Sequence, residues 1–263
     1  MAHKHKTPKT QDQMTNKQKN EPFVISVCII HRDVVTMRWA ENFRRLEIPA
    51  PSTCYSIGNL YHDVGREILV RHAIKTDDPE WIFFLDTGIL PPANAIPRLI
   101  QIAKEQDIPV LSGLCWLKNV GSPNGTLEEE YTPMPSAFTK VSEDPATGAI
   151  VYNSIVDQIK PFLDKNSVCG VDAVGMGCCL IKADIFKQLD KSNPNKPYFQ
   201  FGTHRKDENT GVPLLQCGED IYFCNRLTSE LGIKPYVSTE IKCDHIFYPT
   251  FSVRRGSDGK LVI

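Results

Sequence analysis

Two strongly apolar runs constrain this chain more than any other feature: residues 23–30 read FVISVCII, with Ser26 the one polar residue, and residues 81–85 read WIFFL. Short runs rich in β-branched and aromatic residues, with no polar alternation, are what strands buried on both faces of a parallel sheet require. Each is followed by helical spacing. Val35, Trp39, Phe43 and Leu46 recur at intervals of three and four, so 35–46 is expected to form a helix that lays its apolar stripe back on the first strand. After the second run, Pro91 and Pro92 precede 93–106, where Ile96, Leu99, Ile100 and Ala103 make another such stripe. Between these units, 54–57 reads as a short strand and 62–74 as a helix through Val64, Ile68, Leu69 and Ala73; 109–115 supplies the next strand. This alternation predicts an α/β, Rossmann-like fold, with a right-handed and mostly parallel central sheet flanked by helices over the first half.

The pattern changes from Leu117 to about Lys165, where Gly, Pro, Ser, Thr and charged residues dominate. A stretch that long is seldom structureless inside a compact domain, so 131–140 and 149–155 are expected as strands joined by a turn through 143–148, forming a small antiparallel β region. Farther on, 171–181 is strand-like around Gly175 and Gly177, 182–189 helical, 218–231 helical and 234–237 a short strand, while the polar stretch 191–211 reads as a mobile loop beside a site. A length of 263 residues suits one large domain. The expected organisation is a disordered tail over 1–20, one domain over 21–248 and a C-terminal extension over 249–263. The tail carries Lys4, Lys6, Lys9, Lys17 and Lys19 among polar residues with almost nothing to bury.

Composition removes several function classes. A net charge of -1 carries no overall footprint for nucleic acid, and no apolar run approaches the roughly 20 residues of a membrane span. Nine cysteines without regular spacing argue for reduced thiols in the cytoplasm, with Cys178 and Cys179 as core residues. Cys217, Cys224, Cys243 and His245 contain no Cys-x-x-Cys pair, so a zinc site is not expected.

The chemistry-bearing residues sit where strands end or helices begin. Asp86 ends the WIFFL run abruptly, at the strand edge where open α/β sheets bind ligands, although an aspartate there can also simply cap a turn. Glu219 and Asp220 open a helix, which the macrodipole favours whether or not they react. Gly175 and Gly177 fit either a bulge or the close approach of a ligand to the backbone, and Trp116 fits the edge of the core. His31 follows the first strand; Arg66 and Arg71 lie on the helix before Asp86.

Three blocks in this order, GREILVRHAIKTDDPEWIFFLDTGILPPANAIPRLI, VDAVGMGCCLIKADIF and GEDIYFCNRLTSELGIKPYVSTEIKCDH, resemble glycosyltransferases of the GT-A fold, especially the family 2 type. The resemblance runs from Phe23 to His245. It implies transfer of a sugar from a UDP- or GDP-linked donor to a hydroxyl on a glycan, lipid-linked or protein acceptor. Asp86 would meet the donor, with Arg66 orienting it, His31 near the base, and Gly175 and Gly177 lining the sugar and acceptor pocket. A divalent cation, Mn²⁺ or Mg²⁺, would sit on Asp86 and His245. Asp220, with Glu219 beside it, would be the catalytic base of an inverting displacement. The chain departs from the family at Gly88, where the Asp-x-Asp motif has its second carboxylate, and at Glu67, where an asparagine often follows the arginine. Loss of a hard oxygen ligand weakens a protein's hold on the cation. Gly88 therefore also admits a GT-A module that has lost catalysis and binds a nucleotide sugar, a glycan or a protein. A nucleotidyltransferase reading lacks its Gly-rich, Lys-containing loop between Ile30 and Arg38.

Overall fold

The computed structural model describes residues 24–32, 34–118, 133–143, 150–163, 165–202, 205–206, 213–214, 218–246, 254–255 and 261–262. The expected tail over 1–20, the turn residues 144–148 and Cys217 lie outside them. The first half runs β1 (Ile25–His31), α1 (Met37–Arg45), β2 (Ser52–Gly58), α2 (His62–Thr76), β3 (Trp81–Asp86), β4 (Ile89–Leu90), α3 (Ala95–Glu105) and β5 (Val110–Leu114). Then come β6 (Trp116–Lys118), β7 (Pro133–Pro135), β8 (Ala137–Glu143), β9 (Ile150–Ser154), α4 (Val156–Ile159), β10 (Val168–Gly170), β11 (Ala173–Val174), β12 (Cys178–Lys182) and α5 (Asp184–Ser192). The strand pair β13 (Arg205–Lys206) and β14 (Pro213–Leu214) precedes α6 (Glu219–Leu231), β15 (Tyr236–Lys242) and β16 (Asp244–His245).

The central sheet has seven strands in the order β10-β15-β5-β12-β3-β1-β2. β1 pairs in parallel with β2 and β3, and β15 with β5. β12 inserts between β3 and β5, antiparallel to both, and β10 closes the far edge antiparallel to β15. The sheet is thus mostly parallel in direction, with one return strand at its centre. β8 and β9 pair as the small antiparallel region, joined there by β11.

Two-faced burial explains the runs that specify β1 and β3. In β1, Cys28 and Ile30 enter the core under α2, α5 and α6, while Ile25, Val27 and Ile29 enter the core under α1 and α3. β3 divides the same way, with Ile82 and Phe84 on one face and Phe83 and Leu85 on the other. Thr36 starts α1 by accepting the Trp39 N–H at 3.1 Å. Gly232, at φ 68, ends α6 and lets the Ile233 N–H return to the Leu227 carbonyl.

Four expectations need correction. On α2 the buried face is Gly65, Arg66, Leu69, Val70 and Ala73, whereas Val64 and Ile68 are 45% and 44% exposed. The buried arginine has displaced the stripe that periodicity assigns. Residues 171–181 are two strands in different sheets, broken at 175–177. The strand expected over 234–237 extends to Lys242. The stretch read as mobile contains Tyr198 and Phe199, both buried, with Phe199 stacked on Phe223 at 4.8 Å. Glu67 anchors this segment by accepting the N–H groups of Tyr198 (2.7 Å) and Phe199 (3.3 Å).

The described cysteines are all free; Cys178 and Cys179 are core residues, and Trp116 packs at a core margin. No helix among the described residues is long and apolar enough to cross a membrane.

Candidate functional site

Strands β1, β3 and β5 end on one edge of the sheet, where His31, Asp86 and Cys115, the residue after β5, open onto a cleft of about 810 Å³. His31, Arg66, Asp86, Gly175, Gly177, Glu219, Asp220 and His245 all line it. Residues far apart in sequence therefore converge there because the sheet delivers strand ends and the α6 N-terminus to the same place.

Arg66 organises one wall. Its side chain is buried, its Nη2 donates to both Asp86 oxygens at 3.2 and 3.4 Å, and its Nε donates to Glu219 Oε1 at 3.3 Å. The guanidinium also lies 5.1 Å from the centre of the Phe84 ring. Burial works against its charge, but Asp86, Glu219 and Asp220 more than offset that and push its pKa up. Asp86 is fixed further through its backbone: its N–H donates to the Gly177 carbonyl, and its carbonyl accepts from Trp39 Nε1 at 3.1 Å. Trp39, read from sequence only as a core residue, thus also holds the strand end. A Cβ on Gly177 would lie 2.8 Å from Ile89 Cγ1 and 3.4 Å from Asp86 Oδ2, so glycine is needed for this packing.

His245 reaches the cleft because β16 pairs with β4, opposing His245 to Ile89, and the Ile246 N–H donates to the Gly88 carbonyl at 2.7 Å. Its Nδ1 donates to the Trp116 carbonyl at 2.7 Å, which in the neutral ring leaves the lone pair on Nε2. A Cβ on Gly88 would lie 3.1 Å from that Nε2. The imidazole therefore stands over Gly88. Among the described residues no three His, Cys, Asp or Glu side chains form a group that could hold a metal ion. Asp86 and His245 both line the cleft, one offering carboxylate oxygens and the other an imidazole nitrogen. Cys224 and Cys243 lie in separate cores on opposite faces of the sheet.

The Asp220 carboxylate has different surroundings. Oδ1 accepts the Ile221 N–H at 2.8 Å, and a Cβ on Gly218 would come within 2.8 Å of it. Oδ2 faces Gly175, whose added Cβ would lie 3.7 Å away. Burial first, then the neighbouring Glu219 carboxylate, raises its pKa to about 6, against the pull of Arg66 and the Ile221 N–H. Ser136 also lines the cleft beside Gly175; nothing in the sequence pattern singled it out, because it lies between two short strands of a region with weak periodicity. His31 donates from Nδ1 to the Arg32 carbonyl, and its ring packs on Gly58. Arg71 stays outside the cleft, bonded to Glu67 and lying 4.4 Å from the centre of the Tyr198 ring.

No protein-family model matches this chain, and no curated protein matches it in sequence. Solved structures do match. A197 from STIV is similar over 92% of this chain and 94% of its own, at 16% identity and a TM-score of 0.54. GalNAc-T7, a glycosyltransferase solved with UDP, GalNAc and Mn²⁺, is similar over 87% of this chain at 13% identity and a TM-score of 0.53. The fold is GT-A-like. This chain spans 44% of the GalNAc-T7 chain, and identity at this level carries the GT-A-like architecture alone.

Proposed function

We propose that this chain is a glycosyltransferase that moves a sugar from a nucleotide-sugar donor, UDP- or GDP-linked, to an acceptor hydroxyl with inversion. The observation that carries this reading is the contrast between two adjacent carboxylates. Glu219 is buried and paired with Arg66, whereas Asp220 is half-buried, with its Oδ2 turned towards Gly175 and a pKa near 6. A carboxylate placed in that way is suited to act as general base at neutral pH. Asp220 removes the proton as the acceptor oxygen bonds to the anomeric carbon; the bond from that carbon to the diphosphate oxygen breaks, and the nucleoside diphosphate leaves. Glu219 positions Arg66, and Arg66 holds Asp86 for the donor. His31 would lie near the nucleobase, and Gly175 and Gly177 would line the sugar and acceptor pocket. Asp86 and His245 would hold a divalent cation, which when bound neutralises the diphosphate. The GalNAc-T7 complex with UDP and Mn²⁺ supports the donor and cation classes. Free thiols at every described cysteine support a cytoplasmic setting.

The test has two stages. Thermal shifts with UDP, GDP, CDP and dTDP, with and without Mn²⁺, identify the nucleotide, since a ligand of the native state raises the melting point. Release of that nucleoside diphosphate from its sugar conjugates is then measured for the wild type and for Asp220→Asn. Turnover in the first and its loss in the second are expected; equal turnover rejects Asp220 as base. Gly88 favours the second reading, a binding module without catalysis. Nucleotide binding without turnover, in Mn²⁺ and in chelator alike, would establish that reading instead.

A further inference from the structure

The point where a Cβ on Gly175 would sit is 2.1 Å from Ser136 Oγ and 3.7 Å from Asp220 Oδ2. A hydroxyl and a carboxylate oxygen thus approach one small volume that any side chain at 175 would fill. The geometry around it is fixed by backbone bonds. The Ser136 N–H donates to the Cys115 carbonyl at 2.8 Å, and the Gly175 N–H donates to the Ser136 carbonyl at 3.0 Å, so Ser136 is held between the link from β5 to β6 and the turn before β12. Asp220 Oδ1 is occupied by the Ile221 N–H, which leaves Oδ2 as the oxygen aimed at this volume. Ser136, Gly175 and Asp220 all line the cleft.

Resting on the transferase reading above, we propose that Ser136 is an acceptor-positioning residue, and that it holds a second hydroxyl beside the one that reacts, so that the acceptor is a diol such as a sugar or polyol. Asp220 Oδ2 accepts from the reacting hydroxyl. Ser136 Oγ bonds the neighbouring one and fixes the rotation of the acceptor about its reacting C–O bond. A lone alcohol, such as a serine side chain of a protein, engages Asp220 but leaves the Ser136 hydroxyl without a substrate partner. A site built to bond a substrate hydroxyl discriminates strongly against analogues lacking it.

The experiment uses the full chain, the nucleotide sugar found by the screen above, and four acceptor probes: the methyl glycosides of glucose and galactose, cyclohexanol and a serine peptide. Transfer to at least one glycoside is expected, with cyclohexanol and the peptide poor. Ser136→Ala is expected to raise the glycoside KM about tenfold, the loss of roughly one hydrogen bond, with kcat within about twofold. The melting temperature should not move, and Ser136→Thr, which keeps a hydroxyl, should recover part of the affinity. An unchanged KM in Ser136→Ala, preferred transfer to the peptide or cyclohexanol, or hydrolysis without glycoside transfer overturns the proposal while leaving the transferase reading intact. Absence of any turnover in the wild type overturns both.

Discussion

On one wall of the cleft, Asp86 and Glu219 share the buried Arg66 at 3.2 and 3.3 Å; on the other, Asp220 is surrounded by Gly218, Gly175 and Ser136 and meets no cation directly. The first arrangement compensates charge inside the protein, which fixes geometry but leaves little chemical reactivity. The second leaves a carboxylate poorly solvated and raises its proton affinity. Adjacent residues on one helix can thus have opposite roles, and the difference comes from where β3 and α2 place a single guanidinium.

The largest effect is expected from removing the poorly compensated charge. Asp220→Asn should lower sugar transfer by about 10³-fold, within the usual span for loss of a general base, while leaving nucleotide binding within about twofold. A fall of under tenfold would remove the functional half of the contrast.

Next in size is Arg66→Met. Breaking a buried ion pair by deleting one partner strands the other, and two carboxylates are left here, so unfolding by urea should show a loss of about 3 to 5 kcal/mol. Asp220 loses a charge that lowered its pKa and should titrate higher in this variant. A loss below about 1 kcal/mol would show that water already compensates Asp86 and Glu219.

The third expectation concerns pH. Asp220 titrates in a field set by Glu219, Asp86 and Arg66, and its folded pKa of about 6 exceeds the ordinary 3.8. The folded state therefore binds more protons than the unfolded state between these values, and this group's contribution to stability falls as pH rises from about 4 through 6. Asp220→Asn, neutral throughout, should match the wild type below pH 4 and exceed it above pH 7, by at most about 3 kcal/mol. Catalysis runs the other way: kcat/KM should rise through pH 6 and level off above it. A melting-temperature difference independent of pH would mean that Asp220 is not destabilised in its charged form.

How much of this contrast was legible in the sequence follows from the range of the forces involved. β1 and β3 were legible because burial on both faces makes nearly every position apolar, with Ser26 the polar exception in β1, and Asp86 stood out as a charge ending such a run. The convergence of Asp86, Glu219, Asp220 and His245 followed from the resemblance and from strand order. The buried face of α2 was not legible: Arg66 lies inside because Asp86 and Glu219, 20 and 153 residues away, compensate it, so Val64 and Ile68 are turned outwards. Insertion of β12 between β3 and β5 also depends on long-range pairing, which an apolar run cannot announce. Tyr198 and Phe199 were hidden in a polar stretch because their anchor, the Glu67 carboxylate, lies on α2. Ser136 gave no signal, since a serine between short strands looks the same whether or not it faces a cleft.

The smallest predicted effect is the control that separates site from scaffold on a single helix. Arg71 follows Arg66 on α2 and also has acidic partners, Glu67 at 2.6 Å and Asp190 at 3.6 Å, but its side chain is 44% exposed. Water screens such pairs, and stacking on the Tyr198 ring adds only a modest term, so Arg71→Ala should lose about 1 kcal/mol or less. Turnover should not change, because Glu67 still holds Tyr198 and Phe199 through its other oxygen. Raising the salt to 1 M should shrink the Arg71 effect and spare most of the Arg66 effect, because screening acts on exposed pairs far more than on buried ones. If both arginines responded alike to salt, the claimed burial of the Arg66 pair would be wrong, and Asp86 would have to be treated as a solvated carboxylate.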